Sequence, residues 1–150
     1  MKRNRESMTD ATATSNWTSA ILYGYIATGS VAGGVARYLL SIIIQSGPGF
    51  PWATLFVNVT GSFIIGFYST LSGPDGRLFA SARQRQFVMT GFCGGYTTFS
   101  TFSLETFRLL EDGMAQTALV NIAVSVVTWL VAVWLGYALA SRLNRLKGRK

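Results

Sequence analysis

Four long, mostly apolar stretches dominate this sequence of 150 residues and constrain its fold more than any other feature. About 20 such residues are needed for a helix to cross the hydrocarbon core of a bilayer. The stretches lie at 21–46, 52–71, 87–107 and 115–139. None alternates apolar and polar residues as the strands of a membrane barrel do. Because lipid cannot hydrogen-bond an exposed backbone, each stretch is predicted to be a transmembrane helix, and the fold class is all-α.

The composition excludes several classes of function. Charged residues make up 13% of the chain, about half of their usual share in a soluble domain. The chain has no histidine, which excludes histidine-ligated metal sites and histidine-based catalysis. Its single cysteine excludes a disulfide scaffold. The composition therefore indicates a membrane protein that is not an enzyme.

The basic residues lie at the edges of the apolar stretches. Eleven of the thirteen Lys and Arg residues fall in the N-terminal segment, the 73–86 loop and the C-terminus, which a four-span chain places on one side. The other side holds Arg108, and Arg37 lies within the first span. The positive-inside rule places both termini in the cytoplasm. This segregation also argues against a nucleic-acid-binding groove.

The chain is predicted to consist of three parts. Residues 1–20 are polar, rich in Ser and Thr, and expected to form a disordered tail. They are not a signal peptide, because the apolar run that follows begins too far from the basic start and is too long. Residues 21–143 form the four-helix transmembrane domain, and residues 144–150 form a basic C-terminal tail.

Polar residues in the second and fourth spans follow a helical spacing. Residues three, four or seven apart share one helical face. The stripes are Thr54, Asn58, Ser62 and Ser69 on the second span, and Thr117, Asn121, Ser125 and Thr128 on the fourth. Two interpretations stay open: hydrogen bonds that join helices, and a polar pathway through the membrane.

Two charged residues lie within the spans. A buried arginine needs a partner or an aqueous vestibule, so Arg37 is predicted to have a structural or functional partner. Glu105 is the only acid inside a span, and either a basic group or hydroxyl groups could pair with it. Gly33 lies one turn before Arg37, and together with Gly29 it suits close helix packing.

The third span contains a sequence that is unfavourable for a helix. Gly94 and Gly95 are followed by Tyr and two β-branched threonines, so an interruption is predicted near 94–98. Backbone carbonyls freed at such an interruption can coordinate a cation. A packing kink without an ion is the alternative. Phe99 and Phe102 follow on one face of the resumed helix.

Three motifs make the chain resemble the Fluc/CrcB family of fluoride channels. They are GGVARY at 33–38, TLFVNVTGSFIIG at 54–66 and GFCGGYTTFSTFSLE at 91–105. The resemblance covers all four spans, from about residue 23 to 143. It implies passive fluoride efflux that relieves fluoride toxicity, by a multi-pass protein of the bacterial inner membrane. It also implies an antiparallel, dual-topology homodimer whose third helix is broken mid-membrane.

The resemblance also implies roles for individual residues. The main-chain carbonyls of Gly94 and Thr97 would bind a structural sodium ion (Na+) on the dimer axis. Arg37 matches the family's arginine on the first helix, and with Glu105 it would have a structural or vestibule role. The fluoride pathway would include Asn58, Phe99, Ser100, Thr101, Phe102, Asn121 and Ser125.

The chemistry of these residue types suits fluoride, a small and strongly hydrated anion. A pore must replace its water with a series of donors, none of which traps the ion. Hydroxyl and amide groups are such donors, and a phenyl ring has a positive edge. Three alternatives are weaker. A small multidrug transporter would need an acid in the first span, a proton-coupled exporter would depend on Glu105, and a membrane scaffold would carry no ion flux.

Overall fold

The computed structural model describes residues 2–44, 49–74 and 76–147, and these form helices and loops with no β-strand. The helices in chain order are α1 (Lys2–Ile43), α2 (Trp52–Leu71), α3 (Ala82–Gln86), a π-helical segment (Phe87–Cys93), α4 (Gly94–Tyr96), α5 (Phe99–Glu111) and α6 (Ala115–Lys147). The all-α fold expected from the apolar stretches is therefore confirmed.

Three helices are long and apolar enough to cross a membrane. They are Trp17–Ile43 within α1, all of α2, and Ala115–Leu146 within α6. Large apolar side chains cover their outer surfaces, such as those of Leu39 and Val127. Such a surface suits lipid better than water. The chain is a multi-pass membrane protein.

The region predicted as the third span differs from a single continuous helix. Residues 82–96 run without a gap through α3, the π-helical segment and α4. Thr97 and Thr98 then adopt extended backbone, with ψ of 159° and 119°, before α5 begins. The glycines at 94 and 95 are themselves helical, so the extended residues are the β-branched threonines, which are poor helix formers.

The ends of the chain also differ from the sequence-based expectation. Helix α1 begins at Lys2, within the segment predicted to be a disordered tail. No proline or glycine lies in residues 1–20, and extending an existing helix adds one hydrogen bond for each residue fixed. Helix α6 extends to Lys147, into the predicted basic tail. Two parts of these predictions lie outside the described residues: 45–48, where the first span ends and its turn begins, and 148–150 of the tail.

Glycines bring the helices into backbone contact, as the small-residue spacing predicts. A Cβ at Gly33 would overlap the carbonyl of Phe92, and one at Gly95 would overlap the carbonyl of Ser30. Helix α1 is therefore packed directly against the π-helical segment and α4. Gly66 and Gly136 allow the same close approach between α2 and α6.

Candidate functional site at the interrupted helix

The two extended threonines are held by their own hydroxyl groups. The N–H and Oγ1 of Thr97 both donate to the Cys93 carbonyl, at 2.9 and 2.8 Å. Thr98 Oγ1 accepts a hydrogen bond from the Thr101 N–H at 3.1 Å and so caps the start of α5. A threonine at this position stabilises a helix start because it satisfies a backbone donor that has no partner within the helix. The local sequence thus ends one helix and begins the next.

Asn58 on α2 joins the interruption to the rest of the protein. Its Oδ1 accepts from the Thr98 N–H at 2.8 Å, and its Nδ2 donates to the Thr98 carbonyl at 2.9 Å. The side chain is 5% exposed. One amide therefore hydrogen-bonds both backbone groups of Thr98, whose extended backbone lies outside the helices.

Arg37 lies on the other side of the interruption and donates through Nε to the Gly95 carbonyl at 3.2 Å. This is the partner that a membrane-embedded arginine was expected to have. The neighbouring carbonyls differ: no hydrogen bond to the carbonyl of Gly94 or Thr97 occurs among the described residues. These are the two carbonyls that the family resemblance assigns to a cation.

Phe99 and Phe102 are adjacent but unequal in burial. Their ring centroids are 5.6 Å apart, with the ring planes tilted by 48°. Phe99 is 71% exposed, whereas Phe102 is 7% exposed. Ser100 is exposed beside Phe99, and Thr101 is half-buried. The predicted aromatic pair therefore runs from the surface of the protomer into its interior.

Asn121 and Ser125 lie in the interior between α5 and α6, with 0% and 1% exposure. Ser125 Oγ donates to Asn121 Oδ1 at 3.3 Å, and Asn121 Nδ2 donates to Thr106 Oγ1 at 2.9 Å. Thr106 Oγ1 in turn donates to the Phe102 carbonyl at 2.7 Å. Thr106 was not among the site residues predicted from the sequence. Its one signal in the sequence is a hydroxyl one turn after Phe102. That spacing becomes informative only when α5 is packed on α6 and the hydroxyl meets Asn121.

Glu105 pairs with a hydroxyl group, one of its two expected partners. Its side chain hydrogen-bonds that of Thr54 on α2, while its Oε2 is buried with no hydrogen-bond partner in the described part of the chain. Arg37 and Glu105 line one cavity of about 460 Å³, together with Thr54 and Thr101. The structure thus brings both membrane-embedded charges to one polar cavity beside α5.

A second cavity, of about 360 Å³, lies on the opposite side of the interruption, between α2 and α6. Asn58, Ser62, Thr98, Phe99 and Trp129 contribute to its lining. The polar stripe of α2 therefore reaches this cavity through Asn58 and Ser62. Trp129 was not among the site residues predicted from the sequence, because a tryptophan in an apolar helix carries no signal of its own.

Comparisons with known proteins identify the family of this chain. A model of the CrcB-like protein (camphor resistance) family matches residues 24–137. A protein of Bradyrhizobium diazoefficiens named fluoride-specific ion channel FluC 1 is 65% identical over 87% of this chain and 92% of its own length. One of the same name from Rhodopseudomonas palustris is 70% identical over 86% of this chain and 93% of its own. One named fluoride-specific ion channel FluC, from Opitutus terrae, is 54% identical over 85% and 98%.

The family match extends over α2, α5 and residues 115–137 of α6, and it includes every residue of the interrupted helix. The family is one of channels rather than enzymes. This chain belongs to the CrcB-like protein family.

Proposed function

We propose that this protein is a fluoride channel that lets the anion leave a bacterial cell passively across the inner membrane, which relieves fluoride toxicity. The observation that carries the proposal is the interrupted helix. It presents the Phe99 ring and the Ser100 hydroxyl on the outer surface of a membrane protein, and Phe99 lines the cavity of about 360 Å³ between α2 and α6. Relatives that are 54% to 70% identical to this chain have the name fluoride-specific ion channel.

The proposed path uses weak donors in series. Hydroxyl and amide groups replace the water of fluoride, and the positive edges of phenyl rings add further weak contacts. Phe99 and Ser100 are exposed at the start of α5, and Thr101 is half-buried beside them. Asn58 has one remaining N–H after its bond to Thr98. Because Asn121 and Ser125 are buried, a role for them requires that the path passes between α5 and α6.

Two copies of the chain, inserted in opposite directions, would form the proposed homodimer. The exposed Ser100 and Ser103 hydroxyls and the open space beside Gly94 support it. Polar groups in a membrane span normally face protein or water rather than lipid, and a second copy would cover them. An antiparallel pair has a twofold axis, so the same face of each copy meets the other.

A sodium ion on that axis would be held by the carbonyls of Gly94 and Thr97 from each copy. Two observations support the fit. Those carbonyls accept no hydrogen bond among the described residues, and no atom lies within 4 Å of a Cβ built at Gly94. Carbonyl oxygens suit a hard cation. When bound, the ion would supply positive charge that offsets the desolvation of a passing anion.

Arg37 and Glu105 have a structural or vestibule role in this proposal. Arg37 holds the last turn before the interruption through the Gly95 carbonyl. Glu105 contributes a carboxylate to the cavity of about 460 Å³ that both residues line. In this proposal a hydrated ion enters through this cavity before it reaches Thr101.

Ion efflux from liposomes tests the function. The purified full chain is reconstituted, and fluoride release is recorded with a fluoride electrode, with chloride-loaded and protein-free vesicles as controls. We expect rapid fluoride release, slow chloride release and no need for a proton gradient. Flux that depends on a proton gradient would indicate an exporter instead. A chain that releases no fluoride would contradict the proposal.

Cysteine labelling tests the orientation. The native Cys93 is fully buried, and a Cys93→Ser background removes it entirely. Single cysteines placed near the termini are then labelled from each side of the membrane. The eleven-to-one distribution of basic residues favours one orientation, whereas the antiparallel dimer requires labelling from both sides. Labelling from the cytoplasm alone would refute the dimer.

A further inference from the structure

Trp129 on α6 contacts the inner of the two phenylalanines. The Trp129 and Phe102 ring centroids are 5.0 Å apart, with an interplanar angle of 74°, which is an edge-to-face arrangement. Phe102 also contacts Phe99, at 5.6 Å. The three rings therefore form a continuous row from the exposed Phe99 to α6.

The indole of Trp129 is an unusual way to fill this space. Its Nε1–H is buried and has no hydrogen-bond partner among the described residues. Buried tryptophans normally find an acceptor for this group, and leaving it unpaired is destabilising. A phenyl or aliphatic side chain would avoid that cost. What the indole offers at this position is its large, rigid ring against Phe102.

Helix α6 holds both the ring of Phe102, through Trp129, and its backbone. The Phe102 backbone carbonyl accepts from Thr106 Oγ1, which is held by Asn121. This contact sets the position of the helix but not the direction of the ring. Edge and face of a phenyl ring carry opposite partial charge, so its orientation decides whether it attracts or repels an anion.

We propose that Trp129 is a positioning residue that holds the Phe102 ring in the orientation needed for fluoride to pass. The inference rests on the proposed channel function. Trp129 acts through Phe102 and needs no contact with the ion. Trp129 also lines the cavity of about 360 Å³ with Phe99, so it packs at the α6 end of the aromatic row.

The test compares tryptophan variants by fluoride efflux from liposomes. Trp129→Leu removes the edge-to-face contact, and we expect flux to fall about five- to tenfold. Trp129→Phe keeps an aromatic ring and should retain most of the flux. Trp134→Leu is the matched control, because Trp134 lies on the same helix and is 62% exposed. It should conduct as the native chain does.

A double-mutant comparison separates positioning from general packing. In a Phe102→Ile background, Trp129→Leu should cause no further loss, because the ring it orients is gone. Normal flux in Trp129→Leu, or an equal further loss in the Phe102→Ile background, would overturn the inference. Equal loss in Trp129→Phe and Trp129→Leu would also overturn it, because the N–H would then be the functional group.

Two outcomes are kept distinct from these. If Trp129→Leu gives no folded protein, Trp129→Met, whose flexible side chain adapts to irregular space, is measured in its place with the same expectations. A native chain that releases no fluoride overturns the proposed function together with this inference. Native flux that Trp129 variants leave unchanged overturns the inference alone.

Discussion

The side chain of Asn58 bridges the backbone of Thr98, with its oxygen 2.8 Å from the N–H nitrogen and its nitrogen 2.9 Å from the carbonyl oxygen. Asn144 makes the same type of bridge elsewhere, accepting from the Arg77 N–H and donating to the Thr70 carbonyl, both at 3.0 Å. Both use a side-chain amide, which has its donor and its acceptor on two separate atoms. Only Asn58 lies at the interrupted helix.

Asn58→Asp is expected to reduce fluoride flux strongly. It replaces the donor to the Thr98 carbonyl with a charged oxygen, which repels both that carbonyl and an anion. A lost donor in a dehydrated site costs about 1–3 kcal/mol, equivalent to about a 5- to 150-fold loss of flux if it adds to the barrier. Asn144→Asp makes the same chemical change away from the path and should leave flux unchanged. Equal losses in liposome efflux would show that only stability was affected.

Gly94 and Gly95 are expected to respond differently to substitution. A Cβ at Gly95 overlaps the Ser30 backbone within one protomer, so Gly95→Ala should destabilise the subunit itself. A Cβ at Gly94 has no atom of the described protomer within 4 Å, so Gly94→Val should mainly disturb the dimer axis and cation site. Thr97→Ser keeps the hydroxyl that donates to Cys93 and should be mild. Native mass spectrometry would report dimer content, and equal tolerance of Gly94→Val and Thr97→Ser would argue against the site.

Phe99→Ile is expected to reduce flux without destabilising the protomer, because the ring is 71% exposed. Phe102→Ile removes a buried ring and should lower both flux and melting temperature. Fluoride efflux and thermal unfolding in detergent, measured on the same preparations, separate the two effects. Normal flux in a folded Phe102→Ile dimer would show that this ring only packs.

Thr106→Val is expected to destabilise the packing of α5 on α6. It leaves the buried Asn121 Nδ2 without its acceptor, at a cost of about 1–3 kcal/mol in the free energy of unfolding. Thr128→Val is the control, because among the described residues the Thr128 hydroxyl bonds only to carbonyls of its own helix. Equal stability of the two variants in denaturant unfolding would contradict the role of the network.

Deletion of residues 1–15 is expected to leave fluoride flux intact. The part of α1 that can cross the membrane begins at Trp17, and the family match begins at residue 24. A deletion extended through Gly33 removes close contacts with the π-helical segment and should abolish the folded protein. A large loss of liposome efflux from the shorter deletion would show that the N-terminal segment takes part in conduction.

Much of this protein follows from local sequence. The apolar stretches predict the membrane helices because their length matches the bilayer. The interruption predicted at 94–98 includes the two threonines with extended backbone. Local sequence is enough for this prediction because glycine and β-branched residues weaken a helix wherever they occur. The small-residue spacing of Gly29 and Gly33 likewise predicts close packing, since only a missing side chain lets two backbones approach.

The partner of each polar side chain depends on the tertiary structure instead. Asn58 meets a backbone 40 residues away, and Arg37 meets one 58 residues away. From the spacing of Asn121 and Ser125, hydrogen bonds between helices and a polar pathway through the membrane were both open. Their complete burial is visible only once α5 lies on α6. An amide, a hydroxyl or a guanidinium accepts many partners, and the packing of the helices decides which of them comes within hydrogen-bonding distance.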